Sequence, residues 1–270
     1  MTIETKHILA YLAITEKGDW NRIFQRLNSK VPVDSNEVER ALNKMKCSYV
    51  TLVDEEYPQC LKGIYHPPFV LFYYGNVELL KACGEKGEVA IIGSRDNSEY
   101  GAKMTRKIAR EVAKKHIIVS GLAAGIDAIA AEETIAVGGK TIAVLGCGVN
   151  ICFPQENYEL YRKIKNGHLL ISEYPEGVHP TGDKFPQRNR IIAGLAKGVV
   201  VTEAGPMSGT SITVTLALQS CREVMCIPYS LEVDSACNRL IKEGAFLVEN
   251  GQDVLDIVDG FVPKKYYYVR

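Results

Sequence analysis

The stretch Glu88-Val-Ala-Ile-Ile-Gly-Ser-Arg95 leads through a segment with helical spacing (98–115) into His116-Ile-Ile-Val-Ser-Gly-Leu-Ala-Ala-Gly-Ile-Asp127. Two short β-branched runs with a helix between them predict a βαβ unit with parallel strands. Each run ends in a glycine-containing turn, at the edge where open α/β sheets bind ligands. Because helix N-termini present free backbone N–H groups, that edge favours anions. These residues therefore predict both the fold and the position of its site.

The same alternation continues after this unit. Apolar runs at 141–145, 169–171, 199–201 and 224–227 alternate with segments of helical spacing at 158–165, 191–196, 211–220 and 238–242. Crossovers of this length predict a Rossmann-like, mostly parallel sheet with helices on both faces. Most of the strands end in Gly, Ser or Asn turns, which indicates a binding rim along one edge.

The chain divides into three parts. Residues 1–46 predict a small helical N-terminal region, 47–260 the Rossmann-like domain, and 261–270 a basic and aromatic tail. Within the domain, residues 49–75 predict a strand, a connector rich in proline and an edge strand.

The composition limits the function classes. Apolar residues make up 46% of the chain, and the formal net charge is zero, so any electrostatic binding site must be local. The eight cysteines lack zinc-site spacing, which predicts free thiols and no metal site. No signal peptide or membrane-length apolar run is found, which predicts a cytoplasmic protein without membrane contact.

Several motifs leave alternatives open. Gly146-x-Gly148 follows a strand but lacks the rest of a dinucleotide fingerprint. Ser208-Gly209-Thr210 opens a helix, either as an anion site or as a plain cap. Arg188-Asn189-Arg190 fits a salt-bridged corner, a phosphate clamp, or one arginine in each role.

Asp127 is expected to anchor Arg95 or backbone amides; a general base is the alternative, although the chain offers no convincing catalytic set. Arg95 is expected to point to solvent and contact a phosphate, unless it pairs with Asp127 inside the fold.

Taken together, the motifs at 92–95, 120–127, 172–175, 185–195, 203–213 and 238–241 resemble the DNA-processing protein A (DprA/Smf) family. The resemblance covers about Tyr49 to Val248. It implies a Rossmann-like domain that binds single-stranded DNA, forms homodimers and helps to load a RecA-type recombinase in natural transformation. It implies binding without turnover and no cofactor.

The positions that match the family's DNA-binding region, or lie beside it, come from five parts of the chain. They are Gly93, Ser94, Arg95, Ser120, Gly121, Ala123, Gly125, Lys184, Phe185, Arg188, Asn189, Arg190, Ser208, Gly209 and Thr210. Asp127, Glu203 and Asn238 are expected to support them. The sequence departs from the family pattern at Ala124, where arginine is usual, and at Tyr229, where glycine is usual.

Aromatic faces for base stacking are expected from Phe185, Tyr174 or Tyr229. Two other functions remain open. The related nucleoside-monophosphate phosphoribohydrolases carry a catalytic glutamate where this chain has Thr213, which argues against that enzyme. A nucleotide-binding sensor or scaffolding module is the other alternative.

Overall fold

The computed structural model describes residues 4–81, 87–205 and 209–260. Across these residues nine strands form one sheet. They are β1 (Ser48–Thr51), β2 (Val70–Gly75), β3 (Glu88–Gly93), β4 (Ile117–Ser120), β5 (Thr141–Val144), β6 (Leu169–Ser172), β7 (Gly198–Glu203), β8 (Glu223–Cys226) and β9 (Phe246–Leu247). Their order in the sheet is β1-β2-β6-β5-β4-β3-β7-β8-β9.

From β6 to β9 every neighbouring pair is parallel. Their carboxyl ends therefore meet at one edge, which we call the rim. The predicted Rossmann-like sheet is confirmed. One detail was wrong: β2 is not an edge strand, because it lies between β1 and β6 and pairs antiparallel with both. Its first three residues are fully buried, which an edge position would not require.

Helices precede and follow the strands. They are α1 (Thr5–Thr15), α2 (Trp20–Ser29), α3 (Ser35–Leu42), α4 (Gln59–Lys62), α5 (Glu78–Lys81), α6 (Glu99–Val112), α7 (Ile126–Ala136), α8 (Tyr158–Gly167), α9 (Lys184–Leu195), α10 (Gly209–Gln219), α11 (Ala236–Lys242) and α12 (Gly251–Val258).

Alternation along β3 shows how both faces of the sheet are covered. Val89 and Ile91 pack with Ile108 of α6, whereas Ala90 and Ile92 pack with Ile191 of α9 on the opposite face. Successive strand residues point to opposite faces, so a strand buried on both sides is apolar throughout. This explains why the strands read as continuous apolar runs.

Helix α9 begins earlier than the sequence predicted, at Lys184 rather than at Ile191. The segment from Phe185 to Arg190, which the sequence placed before the helix, is therefore helical. Pro186 is compatible with this because it lies in the first turn, where backbone N–H groups have no intrahelical acceptor. As a result, Arg188 and Arg190 project from a helix that lies against the sheet.

The N-terminal helices share the core of the sheet. Leu9 and Leu12 of α1 and Ile23 of α2 belong to the same buried cluster as Phe72 of β2 and Leu170 of β6. The N-terminal region is thus packed onto the domain by apolar contact. The predicted tail, 261–270, lies outside the described residues.

A buried ion pair ties three parts of the chain together. The guanidinium of Arg190 on α9 donates to both carboxylate oxygens of Glu173, at 2.7 and 2.6 Å, just after β6. Its Nε donates to the carbonyl oxygen of His66 in the proline-rich connector, at 2.9 Å. Both side chains are buried. Arg190 therefore forms the salt-bridged corner that was one of the roles predicted for the Arg188–Arg190 motif.

We expect Leu12→Ala to lower the free energy of unfolding by about 2–5 kcal/mol, the usual cost of removing a buried leucine side chain. Urea denaturation followed by circular dichroism measures it. Leu231→Ala is the matched control, because Leu231 is 91% exposed. If the two variants unfold at the same urea concentration, the contact of Leu12 with the core of the sheet does not stabilise the fold.

We expect Arg190→Gln to destabilise the fold by about 3–5 kcal/mol, because Glu173 would be left buried without its partner charge. The same urea experiment measures this loss. Arg162→Gln serves as the control, since Arg162 pairs with Glu159 at 3.4 Å on the surface and such pairs contribute about 0–1 kcal/mol. Equal stability of the two variants would contradict a structural role for Arg190.

Candidate functional site

A cavity of about 620 Å³ opens at the rim. It lies between the turn that follows β3, the turn that follows β4, and the first turns of α9 and α10. Its lining includes Gly93, Ser94, Arg95, Asp96, Ala123, Asp127, Gly182, Phe185, Pro186, Arg188, Asn189, Gly209, Thr210 and Thr213. The structure thus brings most of the predicted site residues to one place.

Arg95 lies exposed at the cavity mouth. Its guanidinium carbon is 5.4 Å from the centroid of the Phe185 ring, a cation–π arrangement. No ion pair within 4.0 Å joins it to a carboxylate of the described residues. Of the two predicted arrangements, the structure has the one in which Arg95 faces solvent and does not pair with Asp127.

The backbone of Ser94 is already engaged within the fold. Its N–H donates to the carbonyl oxygen of Glu203 at 2.9 Å, and its carbonyl accepts from Ile126 at 3.1 Å. Gly93 beside it packs against Ile126, where a Cβ would come within 2.7 Å. These residues shape the turn and leave anion contact to the Arg95 side chain.

The turn after β4 is held by Asp127. Its carboxylate accepts from the backbone N–H of Gly121 at 2.8 Å, and its carbonyl accepts from Ser120 Oγ at 3.3 Å. Burial raises the pKa of Asp127, while Arg188 and the Gly121 N–H oppose that rise. Asp127 therefore anchors a backbone amide, one of the two supporting roles that the sequence predicted.

Packing and backbone conformation within the fold explain why this turn contains glycines. A Cβ at Gly121 would overlap the guanidinium of Arg188. Gly125 has φ +73° at the start of α7, a conformation that favours glycine. The turn was expected to bring its backbone close to a phosphate. Gly121 instead accommodates a buried arginine, whereas Ala123 lines the cavity and is partly exposed.

Arg188 lines the cavity floor although its side chain is almost fully buried. Its Nη1 donates to the carbonyl oxygens of Gly121, at 2.6 Å, and of Val144, and its Nε donates to Asn189 Oδ1 at 3.1 Å. Burial lowers the pKa of Arg188, and the charge of Asp127 opposes this. Arg188 and Arg190 are both buried and bonded within the fold, which favours structural roles for them; a phosphate contact by either arginine stays a prediction. Only Asn189 of the motif is partly exposed to the cavity.

The aromatic surface differs from the expectation. Phe185 is partly exposed and stacks on Phe153 with ring centroids 5.5 Å apart. Phe153 is 43% exposed, and sequence reasoning missed it, although it lies just beyond the Gly146-x-Gly148 turn. Tyr174 is only 2% exposed, so its expected stacking role is wrong: its ring packs under α9, where its hydroxyl bonds to Gln187 at 3.1 Å.

Backbone just before α9 and at the start of α10 is open to solvent. A Cβ placed on Gly182, Gly205 or Gly209 would meet nothing within 4 Å, and none of the three has a positive φ. Thr210 is buried, and Ser208 lies outside the described residues. At Gly121 a neighbouring side chain excludes a Cβ, but none of the described residues does so at these three positions. The glycines therefore leave room for a ligand to approach the backbone.

The remaining predicted residues support the rim from behind. The Glu203 carboxylate accepts from the Ser98 backbone N–H at 3.0 Å and from its hydroxyl at 2.9 Å, at the start of α6. Asn238 bonds to both the N–H and the carbonyl oxygen of Tyr229, each at 2.9 Å. The Tyr229 hydroxyl donates to the carbonyl oxygen of Thr202 at 2.8 Å. Tyr229 is thus held in place by its hydroxyl and backbone while it stays partly exposed, and its stacking role stays a prediction.

Lys184 begins α9 beside the cavity. Its ammonium group bonds to Thr181 Oγ1 and lies 5.7 Å from the Tyr174 ring centroid. In the parts of the chain that the structure describes, no cluster of three or more His, Cys, Asp or Glu could hold a metal ion. Every helix in those parts is too short or too polar to cross a lipid bilayer.

Comparison with known proteins agrees with the motifs. Residues 48–259 match the sequence profile of the family described as DNA recombination-mediator protein A. DNA processing protein DprA of Streptococcus pneumoniae is 45% identical over 207 residues, which cover 76% of this chain and 72% of that protein. Protein Smf of Synechocystis is 41% identical over 210 residues, 77% of this chain but 53% of that longer protein.

Solved structures that superpose on this chain come from the same family. The X-ray structure of DNA processing protein A from Streptococcus pneumoniae superposes with a TM-score of 0.77 at 36% identity, covering 94% of this chain and 98% of that one. A structure of DNA processing protein A from Helicobacter pylori, described for its single-stranded DNA binding mode, has a TM-score of 0.70 at 28% identity over 80% of this chain and 97% of that one. The chain belongs to the DNA recombination-mediator protein A family.

Proposed function

We propose that this chain binds single-stranded DNA at the rim cavity and does so without turnover. The observation that carries the proposal is the exposed Arg95 guanidinium over the Phe185 ring at the cavity mouth. A single strand needs a cation for its phosphate and an aromatic face for its base, and this pair offers both within a few ångströms. Phe153, stacked on Phe185, extends that face toward solvent.

Two further observations support the proposal. Gly182 and Gly209 leave backbone open along the cavity, so a phosphodiester chain can approach without a side chain in its way. The structure of the Helicobacter pylori relative is described for a single-stranded DNA binding mode. Lys184 and Asn189 are the polar side chains that we assign to the same strand.

Absence of turnover rests on the chemistry of the cavity lining. Among its described residues, the titratable groups are Arg95, Asp96, Asp127 and Arg188, and the carboxylate of Asp127 is already bonded to Gly121. Thr213, whose side chain is buried, stands where the phosphoribohydrolases carry their catalytic glutamate. Asp96, the other carboxylate of the lining, is exposed, and we propose that no nucleophile paired with a base acts on the strand there.

We further propose that the chain acts as a homodimer in the cytoplasm and delivers the bound strand to a RecA-type recombinase during natural transformation. The family description, a recombination mediator, supports the delivery step. No disulfide joins the cysteines that the structure describes, which is compatible with a reducing compartment.

We expect the protein to prefer single-stranded DNA to a duplex of the same length, because the rim offers narrow turns and stacking faces rather than a helix that fits a groove. Affinity should fall with salt, with a log–log slope of about −0.7 per phosphate neutralised. Fluorescence anisotropy with labelled oligonucleotides measures both. Equal affinity for the duplex, or tighter binding of a mononucleotide than of the oligonucleotide, would favour a nucleotide sensor instead.

Arg95→Ala should weaken single-strand binding about ten- to a hundredfold, the cost of one charge-assisted contact of ~1.5–3 kcal/mol. Its melting temperature should stay unchanged, because the side chain is exposed and unpaired with Asp127. Arg95→Lys should recover part of the affinity, since the charge remains and the planar fork is lost.

Arg40→Ala is the matched control, an exposed arginine on α3 that does not line the cavity. The two arginine variants are compared by anisotropy and by thermal melting. Arg95 would be structural if its alanine variant melted earlier while DNA affinity stayed intact. A similar loss of affinity in both variants would mean general charge attraction.

A further inference from the structure

Outside the rim cavity, four aromatic rings form a column between the N-terminal region and the proline-rich connector. Tyr65 stacks on His66 with centroids 3.8 Å apart and planes inclined by 19°. His66 stacks on Trp20 at 3.9 Å and 7°, and Trp20 stacks on Phe24 at 5.1 Å and 14°. We call these residues the aromatic column.

The inner part of the column is fixed by hydrogen bonds to the connector. Trp20 Nε1 donates to the carbonyl oxygen of Pro67 at 2.8 Å, and the buried Arg190 donates to that of His66 at 2.9 Å. His66 has φ +52°, a left-handed conformation that a non-glycine residue keeps only where its surroundings impose it. The stacked rings are therefore held in advance of any ligand.

The outer end of the column is open. Tyr65 is 71% exposed, although its ring is parallel to the ordered ring beneath it. A core aromatic cluster would bury its members, and a side chain this exposed contributes little to the fold. Burial and the nearby Arg190 lower the pKa of His66, so near neutral pH its ring stacks as an uncharged aromatic.

A groove of about 650 Å³ runs beside the column and neighbours the rim cavity. Trp20, Tyr65 and His66 form one wall, and Pro186 and Ile212 line both the groove and the cavity. Lys17, Arg22 and Lys184 also line the groove, together with Glu16, Asp19 and Asp183. Arg190 lines it too, but its charge is paired with Glu173. Because the three remaining cations and the three carboxylates offset one another, the groove favours contact through ring faces over contact through charge.

We propose that the exposed face of Tyr65 is a second stacking subsite for a nucleobase, used by single-stranded DNA that extends from the rim cavity across Pro186. The inference rests on the proposed function, since it takes the same strand as its ligand. The outer face of the Tyr65 ring is covered by no other ring of the described residues, and it lies in a groove that shares Pro186 and Ile212 with the cavity. Such a face suits any base, because every base presents a π-face. The subsite lengthens the stretch of DNA that the protein contacts, and it adds no preference for a base sequence.

The test uses the full chain and oligo(dT) of about 4 and about 20 nucleotides, lengths that bracket the site sizes of single-strand-binding folds. Tyr65→Ala should weaken binding of the longer oligonucleotide at least about fivefold, the low end for loss of one base–aromatic stack. Binding of the shorter one should be unchanged, as should the melting temperature. Tyr65→Phe should restore the affinity, whereas Tyr65→Leu should not, because only the ring face matters.

Arg95→Ala measured in parallel separates this proposal from the previous one. Weakening of both oligonucleotides by Arg95→Ala, with no effect of Tyr65→Ala on either, overturns the second subsite alone. If Arg95→Ala weakens neither, the proposed function fails. Equal losses for the short and long oligonucleotides in Tyr65→Ala, or full recovery by Tyr65→Leu, also overturn the subsite.

Trp20 provides an independent readout, because it is the only tryptophan in the chain and lines the groove. The longer oligonucleotide should change Trp20 fluorescence on binding, and the shorter one should not. The change should be lost in Tyr65→Ala at saturating DNA and kept in Tyr65→Phe. Unchanged emission with the longer oligonucleotide bound would overturn the proposal.

Discussion

The buried guanidinium of Arg188 is the interaction on which the rim depends. It bonds to the carbonyl oxygens of Gly121 and Val144, at the ends of two adjacent strands, and thereby fixes α9 against both. A buried cation is stable only when it is hydrogen-bonded and its charge is compensated. Asp127 supplies the opposing charge and at the same time holds the Gly121 N–H. Gly121, Asp127 and Arg188 therefore form one unit, because a side chain at position 121 would displace the arginine.

This arrangement separates the cations that build the site from those that a ligand can reach. Arg188 and Arg190 are buried. Arg188 donates hydrogen bonds to carbonyl oxygens, and Arg190 pairs with Glu173. Arg95 and Lys184 remain at the surface of the cavity and beside it. A chain with zero formal net charge can bind a polyanion on this basis, because the attraction comes from a few placed groups and not from a global field.

The sequence was sufficient for features set by local patterning. The βαβ unit, the parallel strands and the shared rim follow from residue periodicity and crossover length, and the structure has them close to their predicted bounds. It was insufficient where tertiary packing decides: the helical Phe185–Arg190 segment, the buried Tyr174, the interior position of β2 and the exposed Phe153. Whether an arginine or an aromatic ring faces solvent depends on what packs above it, and that partner is distant in sequence. The aromatic column is a further case, since Trp20 and His66 are brought together only by the packing of the N-terminal helices.

Helix α9 connects the two surfaces that we assign to the strand. Arg188 fixes it to the rim turns. Two residues further on, about half a helical turn away, Arg190 fixes it to Glu173 and to His66. Gly18 of the N-terminal region packs against the carbonyl oxygen of the same Glu173, where a Cβ would come within 2.7 Å. Rim, column and N-terminal helices are thus joined through two buried arginines of a single helix. A ligand that touches both surfaces meets groups already in place, so binding need not order them, and less of the contact free energy is lost to conformational entropy.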